Sequence, residues 1–196
     1  MRFSSTILAG FIIFVGAAGC SDPVGPPGNS VEESDLIFVR TVENAPELDA
    51  TVVSFWAVPD ESRSVAIRYS GAGPYPAGDC LTFTVPAGAI TGQDSVLITI
   101  EVVDTDRFDF EFTPAGLRFA EGHPARLEVN YLWADRDFDG DGDVDADDDE
   151  IADSFGFWRQ EQTGAPWFEV ATVKGAEDPR AVAVITGFTR YALASN

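Results

Sequence analysis

An all-β fold, an antiparallel β-sandwich of eight or more short strands, is what the amino-acid sequence predicts, on three observations. From Leu36 onward apolar residues alternate with polar ones, the period of half-buried strands and not of a helix face. Segments rich in Gly, Pro and Asp, such as SGAGPYPAGD, PAGAITGQD and TGAP, punctuate the alternating runs. No long amphipathic helix interrupts the series, which points to strands packed on strands.

Taken in order, the predicted strands are Leu36 to Arg40, Thr51 to Ala57, Ser64 to Tyr69, Cys80 to Val85 and Ser95 to Val103. Phe108 to Phe112, Ala125 to Trp133, Trp167 to Val173, and Ala181 to Ile185 running on toward Ala192 complete them. Each has an inward row. Examples are Val65, Ile67 and Tyr69; Leu81, Phe83 and Val85; Val96, Ile98, Ile100 and Val102; Leu127, Val129, Tyr131 and Trp133. Glu150 to Gln162 is readable in two ways. Ile151, Phe155 and Trp158 recur at helical spacing, yet FGFWRQEQ followed by TGAPWFEV reads as a hairpin. Because the neighbours are strands, a strand from about Ser154 is expected.

The first twenty residues, MRFSSTILAGFIIFVGAAGC, stand apart from the domain. Arg2 is a positive n-region and Ile7 to Val15 a short apolar run, too short for a mature transmembrane helix. It ends in small residues and cysteine, Ala17-Ala18-Gly19-Cys20, which resembles the lipobox of a bacterial lipoprotein signal peptide. The resemblance implies cleavage before Cys20, acylation of Cys20 and anchoring in a membrane by several acyl chains. Ser21, not Asp, follows the cysteine, so an outer-membrane or cell-surface location is implied. Residues 20–35 are Pro, Gly, Ser and acid without periodic apolar positions and are expected to form a flexible tether. The expected organisation is thus a signal peptide over 1–19, a lipidated tether over 20–35 and one sandwich domain over 36–196. About 160 residues suffice for a substantial core.

Charge and cysteines narrow the function classes. Thirty-three acids against 12 bases give a formal charge of −21, which argues against nucleic acid and against adsorption to an anionic bilayer. With Cys20 acylated, Cys80 would be the remaining thiol and no intrachain disulfide could form.

The stretch DRDFDGDGDVDADDDEIADSF, Asp135 to Phe155, has 11 acids among 21 residues. Its acids are patterned within an acidic loop at 135–150. DFDGDGDVDADD is similar to an EF-hand loop, with Asp137, Asp139 and Asp141 at positions 1, 3 and 5, and Gly142 at 6. Asp143 falls at 7, Val144 at 8, Asp145 at 9 and Asp148 at 12. Hard carboxylate oxygens at 1, 3, 5 and 12, a backbone carbonyl at 7 and a water-mediated contact at 9 suit calcium better than the smaller magnesium ion. Val144 is expected to tuck into the core. Asp at position 12 resembles dockerin loops, and Asp149 replaces the apolar residue that usually opens an exiting helix. The expectation is a lone structural calcium loop between two strands.

Four further stretches, VPAGAI, FTPAGLRF, HPARLEVNY and GFTRYAL, resemble in order and spacing the ZU-five β-sandwich of zonula occludens proteins, ankyrins and netrin receptors. Pro114 presets a turn and Gly116 supplies positive φ, so that Phe112 and Leu117 or Phe119 can return to one core. The resemblance covers about residues 64 to 193 and implies a non-catalytic adhesion or assembly module. No triad is legible: His123, in a turn between Gly122 and Pro124, is the sole base, and Cys80 has no motif around it. The leading expectation is therefore a surface-anchored binding or assembly protein that is not an enzyme. Its partner would be a protein or a glycan. A carbohydrate-binding module, with Trp158 and Trp167 as stacking rings, is the alternative, although core packing of the tryptophans is favoured. A cell-envelope hydrolase using His123 is the third reading.

Overall fold

A computed structural model describes residues 30–71, 78–175 and 178–196. The expected signal peptide, with Cys20, lies outside the described residues, as does most of the expected tether. The fold is an all-β sandwich of two antiparallel sheets, one of eight strands and one of five.

The strands are β1 (Ser30–Val31), β2 (Ile37–Phe38), β3 (Val52–Ala57), β4 (Arg63–Arg68), β5 (Asp79–Val85), β6 (Val96–Asp104) and β7 (Asp109–Thr113). Then come β8 (Ala125–Asn130), helix α1 (Ala146–Ser154), β9 (Gly156–Gln160), β10 (Trp167–Val170), β11 (Thr172–Lys174), β12 (Arg180–Ile185) and β13 (Arg190–Ser195). The larger sheet runs β1-β10-β9-β13-β7-β6-β3, with β2 also paired to β13, and the smaller runs β11-β12-β8-β5-β4. Alternation settles both layers. Ile98, Ile100 and Val102 of β6 turn inward to meet Leu81, Phe83 and Val85 of β5, all buried.

Aromatic residues close the centre. Phe83 meets Phe112 at 5.1 Å between ring centroids and Phe188 at 5.8 Å, and Phe119 meets Phe188 edge-on at 5.3 Å. Gly116, at φ +76°, makes the return that brings Phe112 and Phe119 to this cluster. Tyr191 is buried and donates its hydroxyl to the Gly187 carbonyl at 2.7 Å. That bond ties the chain at the start of β13 to the turn before it.

The structure corrects several sequence expectations. The sheet begins at Ser30, which pairs with Phe168, so residues 30–35 of the expected tether belong to the domain edge. Trp167 to Val173 is two strands, not one, because the chain passes at Ala171 from the larger sheet to the smaller. Thr172 stabilises that corner: its hydroxyl donates to Val170 O and accepts the Phe157 N–H. Likewise the run from Ala181 breaks between β12 and β13, where residues 186–189 cross between the sheets. The acidic loop does not pass directly from strand to strand. It leads into α1, and the strand expected from about Ser154 follows as β9.

Candidate metal site in the acidic loop

The loop between β8 and β9 is organised by its own backbone. Asp137 Oδ1 accepts the Gly140 N–H at 2.8 Å and Oδ2 the Gly142 N–H at 3.0 Å. Asp139 accepts from the N–H of Asp141 at 3.1 Å, and Asp141 from that of Asp143 at 3.0 Å. Gly142 sits at φ +102°, backbone that a residue with a side chain rarely adopts. These bends fold the front of the loop on itself. One carboxylate oxygen each of Asp137, Asp139 and Asp141 comes within 4.8 Å of the others.

Electrostatics there are unfavourable without a counter-ion. The Asp141 N–H pulls the Asp139 carboxyl down, but burial and the carboxylates of Asp141, Asp148 and Asp137 together outweigh it and raise its pKa. Carboxylates this close repel one another even in bulk water.

The rear of the loop uses its acids differently. Asp145 is the N-cap of α1, accepting the Asp147 N–H at 2.8 Å, and Asp148 reciprocates by accepting the Asp145 N–H at 2.9 Å. The other oxygen of Asp148, a buried residue, accepts the N–H groups of Phe138 and Asp139. The Asp145 N–H lowers the Asp148 pKa most, against burial, and those of Asp139 and Phe138 lower it further. Position 12 thereby fastens the entry of the loop to its exit. Asp143 is exposed and lies outside the convergent trio.

Val144 does not enter the core; it is 57% exposed. Phe138, at position 2, packs instead, its ring 5.8 Å from that of buried Phe155, which meets Tyr131 at 5.1 Å. Lys174 of β11 completes the junction. Its ammonium donates to the carbonyls of Ala152 and Asp153 at the end of α1, at 2.8 Å each, and lies 4.2 Å from the Phe155 ring centre. A cation there complements the negative end of the helix dipole. Neither Phe138 nor Lys174 stood out in the sequence. Phe138 is an apolar residue flanked by acids, which was the available signal.

Trp158 and Trp167 are buried, and the indole N–H of Trp158 donates to Ala194 O at 2.9 Å, so both are core residues and offer no sugar platform. Trp56 is the exposed indole, at 56%. His123 is exposed in its turn, close over Gly88. Cys80 is buried beside Tyr69, and burial pushes its thiol up to about 12, far from a reactive thiolate. Asp109, fully buried, takes a two-pronged ion pair from Arg190 and a contact from Arg107 at 3.3 Å. It fixes β7 against β13.

No family model matches the chain, and no curated protein matches it.

Proposed function

We propose that this chain is a cell-surface lipoprotein, anchored through Cys20, whose sandwich serves as a non-catalytic binding or assembly module with a structural calcium site. The observation that carries the calcium reading is the convergence of Asp137, Asp139 and Asp141 at the front of a loop whose rear is already fastened by Asp148. Three hard oxygen donors fit a divalent cation that prefers oxygen, and the loop pattern assigns the Asp143 carbonyl and water to the rest of the shell. Bound calcium would supply positive charge where the carboxylates repel. The loop residues would hold it, and the protein's binding work would be done elsewhere on the sandwich.

The anchor reading is supported by the n-region, the short apolar run and the Ala-Ala-Gly-Cys terminus of residues 1–20. The four stretches similar to ZU-five support an assembly role.

Calorimetric titration of the purified protein with calcium tests the site. One ion per chain is expected, with a dissociation constant of roughly 0.1 to 1 mM, the range of extracellular modules. Asp139→Ala/Asp141→Ala should abolish the heat. Wild-type protein that takes up no calcium at millimolar concentration rejects the site. Palmitate labelling of wild type but not of Cys20→Ala is the expected result for the anchor, and an unlabelled wild type rejects it.

A further inference from the structure

We infer that β3 is a self-pairing edge through which two copies of this chain join their larger sheets across a two-fold axis. The unusual feature is the strand's lack of protection. Natural sheet edges are blunted by shortness, charge or proline. Among the described edges, β1 and β2 span two residues each and β11 three. β4 starts and ends on Arg63 and Arg68, ion-paired to Glu61 and Asp79. β3, Val-Val-Ser-Phe-Trp-Ala, has six residues with neither charge nor proline.

Register determines which groups face outward. The Val102 N–H donates to Thr51 O at 2.8 Å, and β3 continues opposite β6 as Val52↔Glu101, Val53↔Ile100 and Ser54↔Thr99. Hydrogen-bonded pairs alternate along an antiparallel ladder, so Val53, Phe55 and Ala57 bond to β6. Val52, Ser54 and Trp56 therefore point their N–H and C=O groups away from it. Among the described residues no partner meets them. Their side chains share the outer face and are exposed, Val52 at 50% and Trp56 at 56%.

A second copy fits these groups in one symmetric register. With Ser54 opposite Ser54 of the other copy, Val52 lies opposite Trp56 and Trp56 opposite Val52, and each of these positions is a hydrogen-bonded pair. All the outward groups of the three residues are then satisfied on both copies. Each exposed indole covers an exposed valine, the apolar pairing that stabilises adjacent strands.

Charge confines a pairing of two copies to this place. The chain carries −21, so two copies repel over most of their surfaces. Along β3 no charge meets another. Glu101, opposite Val52 on β6, falls in a row that ends on Leu97 of the other copy, since Leu97 pairs with Trp56. The central row is hydroxyls, Ser54 already bonded to Thr99 at 2.7 Å. The pairing does not depend on calcium or on the acidic loop.

Cysteine cross-linking of the full chain in the cells that express it tests the register. Ser54→Cys places two thiols in a hydrogen-bonded pair with Cα atoms about 5.5 Å apart, within disulfide reach. Mild oxidation should give a covalent dimer that wild type, with Cys20 and Cys80, does not give. Thr99→Cys, on the same face but about 14 Å from its counterpart across three strand spacings, should not cross-link. Adding Trp56→Lys to Ser54→Cys should cut the dimer at least about tenfold, because it removes two Trp–Val pairs and charges the edge. Near-isosteric Ser54→Cys should melt like wild type, which separates failure to pair from failure to fold. Folded Ser54→Cys that stays monomeric overturns the inference, as does equal cross-linking of Thr99→Cys or a dimer indifferent to Trp56→Lys. Ser54→Cys joined to a different protein also overturns it and assigns the edge to a foreign strand.

Discussion

The two halves of the acidic loop are built from one residue type and do opposite things. At the front, Asp137, Asp139 and Asp141 converge with repulsion among their charges. At the rear, Asp145 and Asp148 are acceptors for backbone N–H groups and need no ion to be stable. Both halves accept backbone N–H groups, so the difference teaches that an aspartate's role here is set by whether other carboxylates converge on it. A rear half fixed by its own hydrogen bonds would hold the front half ready, which would lower the entropy that binding of the proposed cation must overcome.

The largest expected effect comes from removing what holds the rear half to the core. Phe155→Ala deletes the ring shared by Tyr131, Phe138 and Lys174, and chemical denaturation should show a loss of about 3 to 5 kcal/mol. Calcium should not restore it. A smaller loss, again present in chelator, is expected for Asp148→Ala, which orphans the N–H groups of Phe138, Asp139 and Asp145. Asp139→Ala in chelator should instead leave the melting midpoint unchanged or raise it, since it relieves repulsion. A fall equal to that of Asp148→Ala would erase the distinction between the halves.

Acid sharpens the same contrast. Asp148 has a lowered pKa, so its stabilisation is present above the unfolded carboxyl value and is lost as pH falls through the folded one. The Asp139 pKa is raised, so its penalty is present at neutral pH and disappears as it protonates. In metal-free protein, carboxyl-detected NMR should find Asp139 titrating at higher pH than Asp148.

Lys174→Met tests the fastening from the neighbouring sheet strand. It removes both carbonyl contacts at the end of α1 and should cost about 1 kcal/mol. Val144→Ala should be within about 0.5 kcal/mol of wild type, because the side chain is exposed. A buried anchor at position 8 would have cost several times more.

What was legible in the sequence follows the range of the interactions. Alternation marked β5, β6 and β8 within a few residues, because each has one face in the core over its whole length. Helix α1 was half legible: Ile151 and Phe155 stand at helical spacing, but acids fill its first turn and no apolar stripe runs its length; a capping box, Lys174 and the docking of Phe155 hold it. Position numbers along the loop identified the trio that converges. They could not show that Val144 faces solvent while Phe138 packs, since that depends on where Phe155 and Tyr131 of other elements stand. The breaks at Ala171 and at residues 186–189 were hidden for a related reason: alternation continues through a strand that changes sheets.

The most direct test is thermal melting of the purified protein in excess calcium and in chelator, for wild type and Asp139→Ala/Asp141→Ala. At about ten times the dissociation constant, linkage stabilises the folded state by about 1.4 kcal/mol. The wild-type midpoint should therefore rise by several degrees with calcium, and the double variant should not respond. A wild-type midpoint indifferent to several times the expected dissociation constant, roughly 0.1 to 1 mM, would contradict the account, as would an equal rise in the variant.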